Sequence, residues 1–148
     1  MEDTEGRSIT NDFVKPVLTD IRSTWNIIKP GLESILEDNP SLTFIPEDVF
    51  SECVNERAFL FTSPVGFLVL TIEVDRYTKD KTLYMWIAYT YNKGRHEWLA
   101  HEDWIEALAR ESGCKYIEAQ SHVPELEPYA KKLGWSLDTR VYRRKVNE

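Results

Sequence analysis

The feature that most constrains this chain is a strand–helix–strand order between Thr82 and Gln120. Thr82–Tyr91 (TLYMWIAYTY) is a strongly β-prone run, and a short polar turn carrying Gly94 follows it. In the next segment, Trp98–Glu111, Trp98, Trp104, Ile105 and Leu108 mark one apolar face at helical spacing. Gly113 closes that segment, and Cys114–Gln120 (CKYIEAQ) is again β-prone. Two strands joined by one crossover helix are neighbouring and parallel, with the helix packed over them. The loop leaving the first strand then aims backbone N–H groups at whatever lies at the helix N-terminus, usually an anion.

The rest of the chain supplies antiparallel strands and more helices. Phe13–Leu18 reads as a short strand that Pro16 confines to a sheet edge. Asp20 or Thr19 can cap a helix with Ile21, Trp25 and Ile28 on one face. Pro30-Gly31 is expected to break or kink it, with Leu32, Ile35 and Leu36 continuing the apolar contact. Pro46-Glu47-Asp48 makes a good first helical turn before a stripe of Val49, Phe50, Cys53 and Val54. Ala58–Thr62 and Phe67–Tyr77 are expected strands around the turn Ser63-Pro64-Val65-Gly66, and Thr78–Lys81 turns into the long strand. After Gln120 come a helical pattern ending at Leu133-Gly134-Trp135 and a final strand-like run to Val146. The fold class that follows is α/β (α+β): a mixed, mostly antiparallel sheet with helices on both faces. Residues 1–11 read as a loose acidic tail and 12–148 as a single domain.

Charge and cysteine usage exclude several classes. Residues 1–60 hold 12 acidic and 5 basic side chains, while 61–148 hold 13 of each, so the whole net of −7 lies in the first part. That balance argues against general nucleic-acid binding, which needs a basic footprint. Arg140, Arg143, Arg144 and Lys145 are a local exception. On a strand, Arg143 and Lys145 share one face and Arg144 takes the other, as on an edge strand guarded by charge. No apolar run approaches a membrane span, and the polar, acidic N-terminus is not a signal peptide. Cys53 and Cys114, far apart within apolar patterns, read as free thiols of a reducing, cytoplasmic setting. His96 and His101 are five residues apart, not the four that zinc-protease histidines need, so no metal site is expected.

The element order, together with TWNIIKPGLESIL, LYMWIAYTYNKGR, GCKYIEAQS and YAKKLGW, resembles the Gcn5-related N-acetyltransferase superfamily. The likeness runs from Phe13 to Val146 and is strongest to small divergent members encoded by tailed phages. It implies an acyl-CoA N-acyltransferase fold and transfer of an acetyl group from acetyl-CoA to an amine by direct attack. It implies pantetheine lined by Ile87, Ala88 and Tyr89, and a pyrophosphate loop of Lys93, Gly94, Arg95 and His96. The family's loop is Gln/Arg-x-x-Gly-x-Gly/Ala, whereas this chain has Asn92-Lys93-Gly94-Arg95-His96-Glu97 with a single Gly. Glu97 suits the helix dipole but competes with a phosphate for the same N–H groups. The family's leaving-group acid, a Tyr four residues before the closing Gly, would fall on Ala130; Tyr129 is adjacent, about 100° round the helix.

A general base must titrate near the working pH. Glu118 and Glu73 lie in strands, where an alternating pattern equally makes them the solvated side, and His122 follows the CKYIEAQS strand. The expected acceptor is a small amine or a protein amine, and the acidic first part would attract a cationic one. The alternative is a non-catalytic binding or phage virion-associated protein that kept the sheet and lost the cofactor loop, with a protein partner or homodimer as its contact.

Overall fold

The computed structural model describes residues 15–92, 101–121 and 126–147. Its elements are β1 (Val17–Leu18), α1 (Ile21–Asp38), α2 (Pro46–Val54), β2 (Phe59–Ser63), β3 (Gly66–Val74), β4 (Lys81–Thr90), α3 (Glu102–Glu111), β5 (Tyr116–Ala119) and α4 (Glu127–Lys132). The five strands form one sheet in sequence order. The pairs β1–β2, β2–β3 and β3–β4 are antiparallel, and β4–β5 is parallel. The crossover that the sequence implies is therefore present, with α3 as its helix.

Helices cover both faces. On one face Ile21, Ile28 and Leu32 of α1 and Val49 of α2 bury against Leu60, Phe67, Val69 and Ile87, with Trp25, Phe50 and Tyr89 packed around them. On the other, Ile105 and Ala109 of α3 bury against Leu68, Leu70 and Leu83, and Trp104 meets Phe61 edge-on at 5.2 Å. Strand β3 is thus buried on both sides from Phe67 to Leu70, which explains its unbroken apolar run.

Local chemistry sets the helix starts. The Asp20 carboxylate accepts the Arg22 N–H at 3.1 Å at the head of α1. At the head of α2 the Ile45 N–H donates to Asp48 Oδ2 at 3.0 Å, with Pro46 in the first turn, where its missing N–H costs nothing.

The structure corrects three expectations. Helix α1 runs unbroken through Pro30-Gly31. Pro30 lies on the exposed side, while Gly31 and Leu32 are buried under the sheet, so tertiary packing holds the turn that proline weakens. The first strand spans Val17–Leu18, and Lys15 and Pro16 stand outside it, while Phe13 and Val14 of the expected strand lie outside the described residues. The final strand does not form: residues 136–147 carry no regular structure and stand exposed. Its apolar residues Val141, Tyr142 and Val146 are exposed, and the segment follows a capping turn in which Gly134 has φ +89°.

Gly31 is required by contact. A Cβ there would lie 2.6 Å and 2.9 Å from the Phe67 ring and 3.1 Å from Tyr89. Gly66 is tighter still, since its Cβ would fall on the Tyr89 carbonyl.

Two predictions follow from this packing. At an exposed helix site Gly→Ala stabilises by about 1 kcal/mol, but Gly31→Ala here should destabilise by about 1–3 kcal/mol through overpacking. Urea denaturation of the two proteins checks it, and an unchanged or higher midpoint contradicts the contact. Cys53 is pushed up to about 11, first by burial and then by Glu52. Because the folded state holds the thiol proton more tightly, this group's contribution to stability is intact below the unfolded value and falls as pH rises from there toward about 11. The native protein should react slowly with a disulfide reagent at Cys53 at pH 8. Labelling as fast as in denaturant would show that the thiol is not held back.

Candidate active site at the end of the parallel pair

The site is built by an irregularity in β4. Pairing with β3 runs Gly66↔Thr90 to Val69↔Ile87, then resumes at Leu70↔Met85, so Trp86 is an inserted residue. The insertion switches faces. Before it, Leu83 and Met85 join the α3-side core; after it, Ile87 and Tyr89 join the α1-side core. Strict alternation would have put Ile87 on the same side as Leu83.

The bulge coincides with the end of the parallel ladder. Strand β5 matches β4 at Thr82↔Tyr116, Leu83↔Ile117, Tyr84↔Glu118 and Met85↔Ala119, and no further. Strand β4 continues past that last pair from Trp86 to Thr90, still held on its other side by β3. The bulge, which increases local twist, thus falls where β5 stops pairing, and the margin between the two strands beyond that point forms a wedge. Ala88 lies in this stretch, opposite buried Leu68, and is itself exposed, so its methyl group leaves that wall shallow.

The side chains around the wedge are aromatic. On the α1 side, Tyr89 lies against Phe67 at 5.2 Å and edge-on to Tyr91 at 5.9 Å. The Tyr91 N–H is tied to the Val65 carbonyl at 2.9 Å, which fixes the strand's exit. Trp86 meets Phe44, from the loop between α1 and α2, edge-on at 5.5 Å, a contact of about 0.5–1.5 kcal/mol. That contact brings the α1–α2 connection over the bulge.

Towards the start of β4 the same face turns polar. Thr71, Glu73, Tyr84 and Glu118 lie on it through the β3–β4 and β4–β5 registers. Thr71 Oγ1 donates to Glu73 Oε2 at 3.0 Å. The Tyr84 phenol is raised above its ordinary value, by burial first and then by the negative charges of Glu73 and Glu118. The face is therefore acidic around a half-buried phenol.

The sequence-derived site residues fall into three groups. Ile87, Ala88 and Tyr89 stand together on β4 past the last parallel pair but do not share one environment: Ile87 is buried, Ala88 exposed and Tyr89 half-buried. Glu118 lies on β5 beside Tyr84, exposed, and Tyr129 lies in the first turn of α4 with half of its surface exposed. Lys93, Gly94, Arg95, His96 and His122 lie outside the described residues. His101, read from sequence as a core or boundary histidine, is buried at the N-cap of α3 with 5% exposure. Among the described residues no group of three or more His, Cys, Asp or Glu could hold a metal, and no helix is long and apolar enough to cross a membrane. Tyr84 was missed. Its signal is visible only once strand register puts two carboxylates beside it.

This arrangement, an antiparallel meander with one parallel strand diverging beyond a bulge, is the fold of Gcn5-related N-acetyltransferases. The match is to solved structures. A "probable acetyltransferase" crystal structure superposes with TM-score 0.69 at 14% identity, covering 91% of this chain and 100% of that one. A ribosomal-protein-alanine N-acetyltransferase from Brucella melitensis biovar Abortus 2308 gives 0.66 at 15% identity, covering 90% and 100%. An aminoglycoside acetyltransferase from an uncultured soil metagenomic sample, solved with sisomicin, gives 0.64 at 13% identity, covering 93% and 98%. No family profile matches the sequence, and no curated protein does.

The acidic face yields a titration test. Glu118→Gln should move the Tyr84 ionisation back towards the ordinary tyrosine value, and Glu73→Gln likewise. Ultraviolet titration against a Tyr84→Phe reference measures it. A titration curve indifferent to both substitutions would remove the carboxylates from that phenol's surroundings.

Proposed function

We propose that this protein is an N-acetyltransferase that takes its acetyl group from acetyl-CoA and passes it to an amine. The observation that carries the reading is the end of the β4–β5 pairing at Met85↔Ala119, past which five residues of β4, Trp86–Thr90, run on with Ala88 exposed. A wedge of this kind suits an extended amide-bearing arm, which can add backbone-type hydrogen bonds along a strand much as a peptide does. Acetyl-CoA would bring the activated thioester; the remaining chemistry belongs to this chain.

Ile87, Ala88 and Tyr89 bind the pantetheine arm, and Lys93, Gly94, Arg95 and His96 hold the pyrophosphate, the single glycine letting backbone approach phosphate closely. The acceptor amine comes from the acidic face. Glu118 and Glu73 lower the energy of a cationic amine there, and Glu118 or His122 takes the proton that an ammonium must lose before it can attack. Tyr129, on α4, donates its proton to the departing thiolate. The resemblance to acetyltransferase structures supports this reading through the fold, and the bulge and wedge support it through the site.

Titration calorimetry with acetyl-CoA tests it. Micromolar binding is expected, lost in Ala88→Trp, which fills the wedge, and weakened at least tenfold in Gly94→Phe. A folded protein that shows no heat at millimolar acetyl-CoA would point instead to a binding protein built on this fold.

A further inference from the structure

The face that leads back from the wedge along β4 has a composition that acetyl transfer by itself does not require. Leu83 and Met85 turn to the α3 core, so Tyr84 between them turns to the opposite face, where Trp86 also packs. Strand register lays that face out in rows. Nearest the wedge is Trp86, the first residue past the last parallel pair. Next comes Tyr84, with Thr71 beside it on β3 and Glu118 on β5. One row further back, Thr82 lies between Glu73 and Tyr116.

Charge on this face has one sign. Glu73 and Glu118 are exposed, and among the described residues neither forms an ion pair. Lys115, the cation of the same strand as Glu118, is committed elsewhere. Its ammonium lies 3.4 Å from Asp80 Oδ2 and 5.5 Å from the centre of the Tyr116 ring. The backbone positions of Glu73 and Glu118 are about 12 Å apart, two strand spacings across and two residues along. A single ammonium can therefore neutralise one of them only.

Between the carboxylates the surface is aromatic. The Tyr84 ring separates them, and Trp86, held edge-on to Phe44 at 5.5 Å, continues it towards the wedge. Such rings attract cations and the methylene chains that carry them. A hydroxyl-rich molecule finds less to hold. The Thr71 hydroxyl already donates to Glu73 Oε2 at 3.0 Å, and Thr82 is half-buried.

We infer that the acceptor is a linear diamine, two ammonium groups on an apolar chain. This rests on the acetyltransferase reading and gives it a substrate class. The reacting nitrogen lies beside Glu118 at the mouth of the wedge, the chain crosses Tyr84, and the distal ammonium rests on Glu73. Glu73 is then the residue that tells diamines from monoamines. In the reaction the near ammonium gives one proton to Glu118. The freed electron pair forms the C–N bond as the C–S bond breaks, and the proton shed by the acylated nitrogen ends on the thiolate sulfur.

Turnover is read as free thiol released from acetyl-CoA, with diamines from propanediamine to octanediamine set against monoamines of equal length and a hydroxyl-rich aminoglycoside. At low ionic strength the best diamine should exceed its monoamine in kcat/KM by roughly fivefold, the scale of one exposed charge pair. That preference should peak at one chain length and shrink as salt is added, since the distal pair is screened. Glu73→Gln should bring the two amines to equal use, mainly through the KM of the diamine; a merely structural role for Glu73 would weaken both alike. Calorimetry on the protein saturated with CoA, which cannot react, should show the same order of binding. Equal use of both amines by the unmodified protein, preference for the aminoglycoside, or a diamine preference indifferent to Glu73→Gln overturns the assignment and leaves the acetyltransferase reading in place. Failure of the folded protein to bind acetyl-CoA removes both, a case that the acetyl-CoA titration tells apart. Should Glu73→Gln fold poorly, the salt dependence of the unmodified protein's preference decides.

Discussion

The structure depends on the change of face within β4. A regular strand shows one set of side chains to each side, and a single extra residue exchanges them. Here Trp86 is that residue, and two consequences follow from it. Ile87 and Tyr89 are delivered to the core under α1 and α2, where Gly31 and Phe67 receive them. At the same point β5 stops pairing, and the strand's remaining length becomes the wall of a wedge. Core and site are thus coupled at one position: Gly31, on the helix that covers this face, leaves no room for a Cβ beside the Phe67 and Tyr89 rings.

Packing also decides how the helices behave. Proline in the interior of a helix costs a hydrogen bond and meets the preceding turn, a penalty of about 3 kcal/mol. Helix α1 tolerates it because Ile21, Ile28 and Leu32, all buried, anchor both sides of the proline to the same sheet face. Phe44, in the α1–α2 connection, meets Trp86 edge-on and so ties that connection to the bulge.

Much of this was legible in the chain. The crossover, the antiparallel meander, the cap at Asp20, the first helical turn at Pro46, and the stripes Ile21–Trp25–Ile28 and Val49–Phe50 follow from spacing and turn chemistry written in neighbouring residues. The residues Ile87, Ala88 and Tyr89 were singled out through resemblance; they lie beyond the last parallel pair, with Ile87 buried and Ala88 exposed. Tyr84 was not legible, since its surroundings come from Glu73 and Glu118 on two other strands. The final strand was read from its composition and does not form, because β-prone residues become a strand only beside an edge that they can reach.

The sequence by itself determined the order of elements, their amphipathic faces and the acidic character of the chain. These are properties of near neighbours, fixed by helical and extended periodicities and by turn residues. The tertiary structure decided where alternation fails at Trp86, where β5 leaves β4, which carboxylates surround Tyr84, and that residues 136–147 stay exposed without regular structure. Each of those depends on register between strands distant in sequence, and a register is an energy minimum of the whole sheet that no single segment encodes.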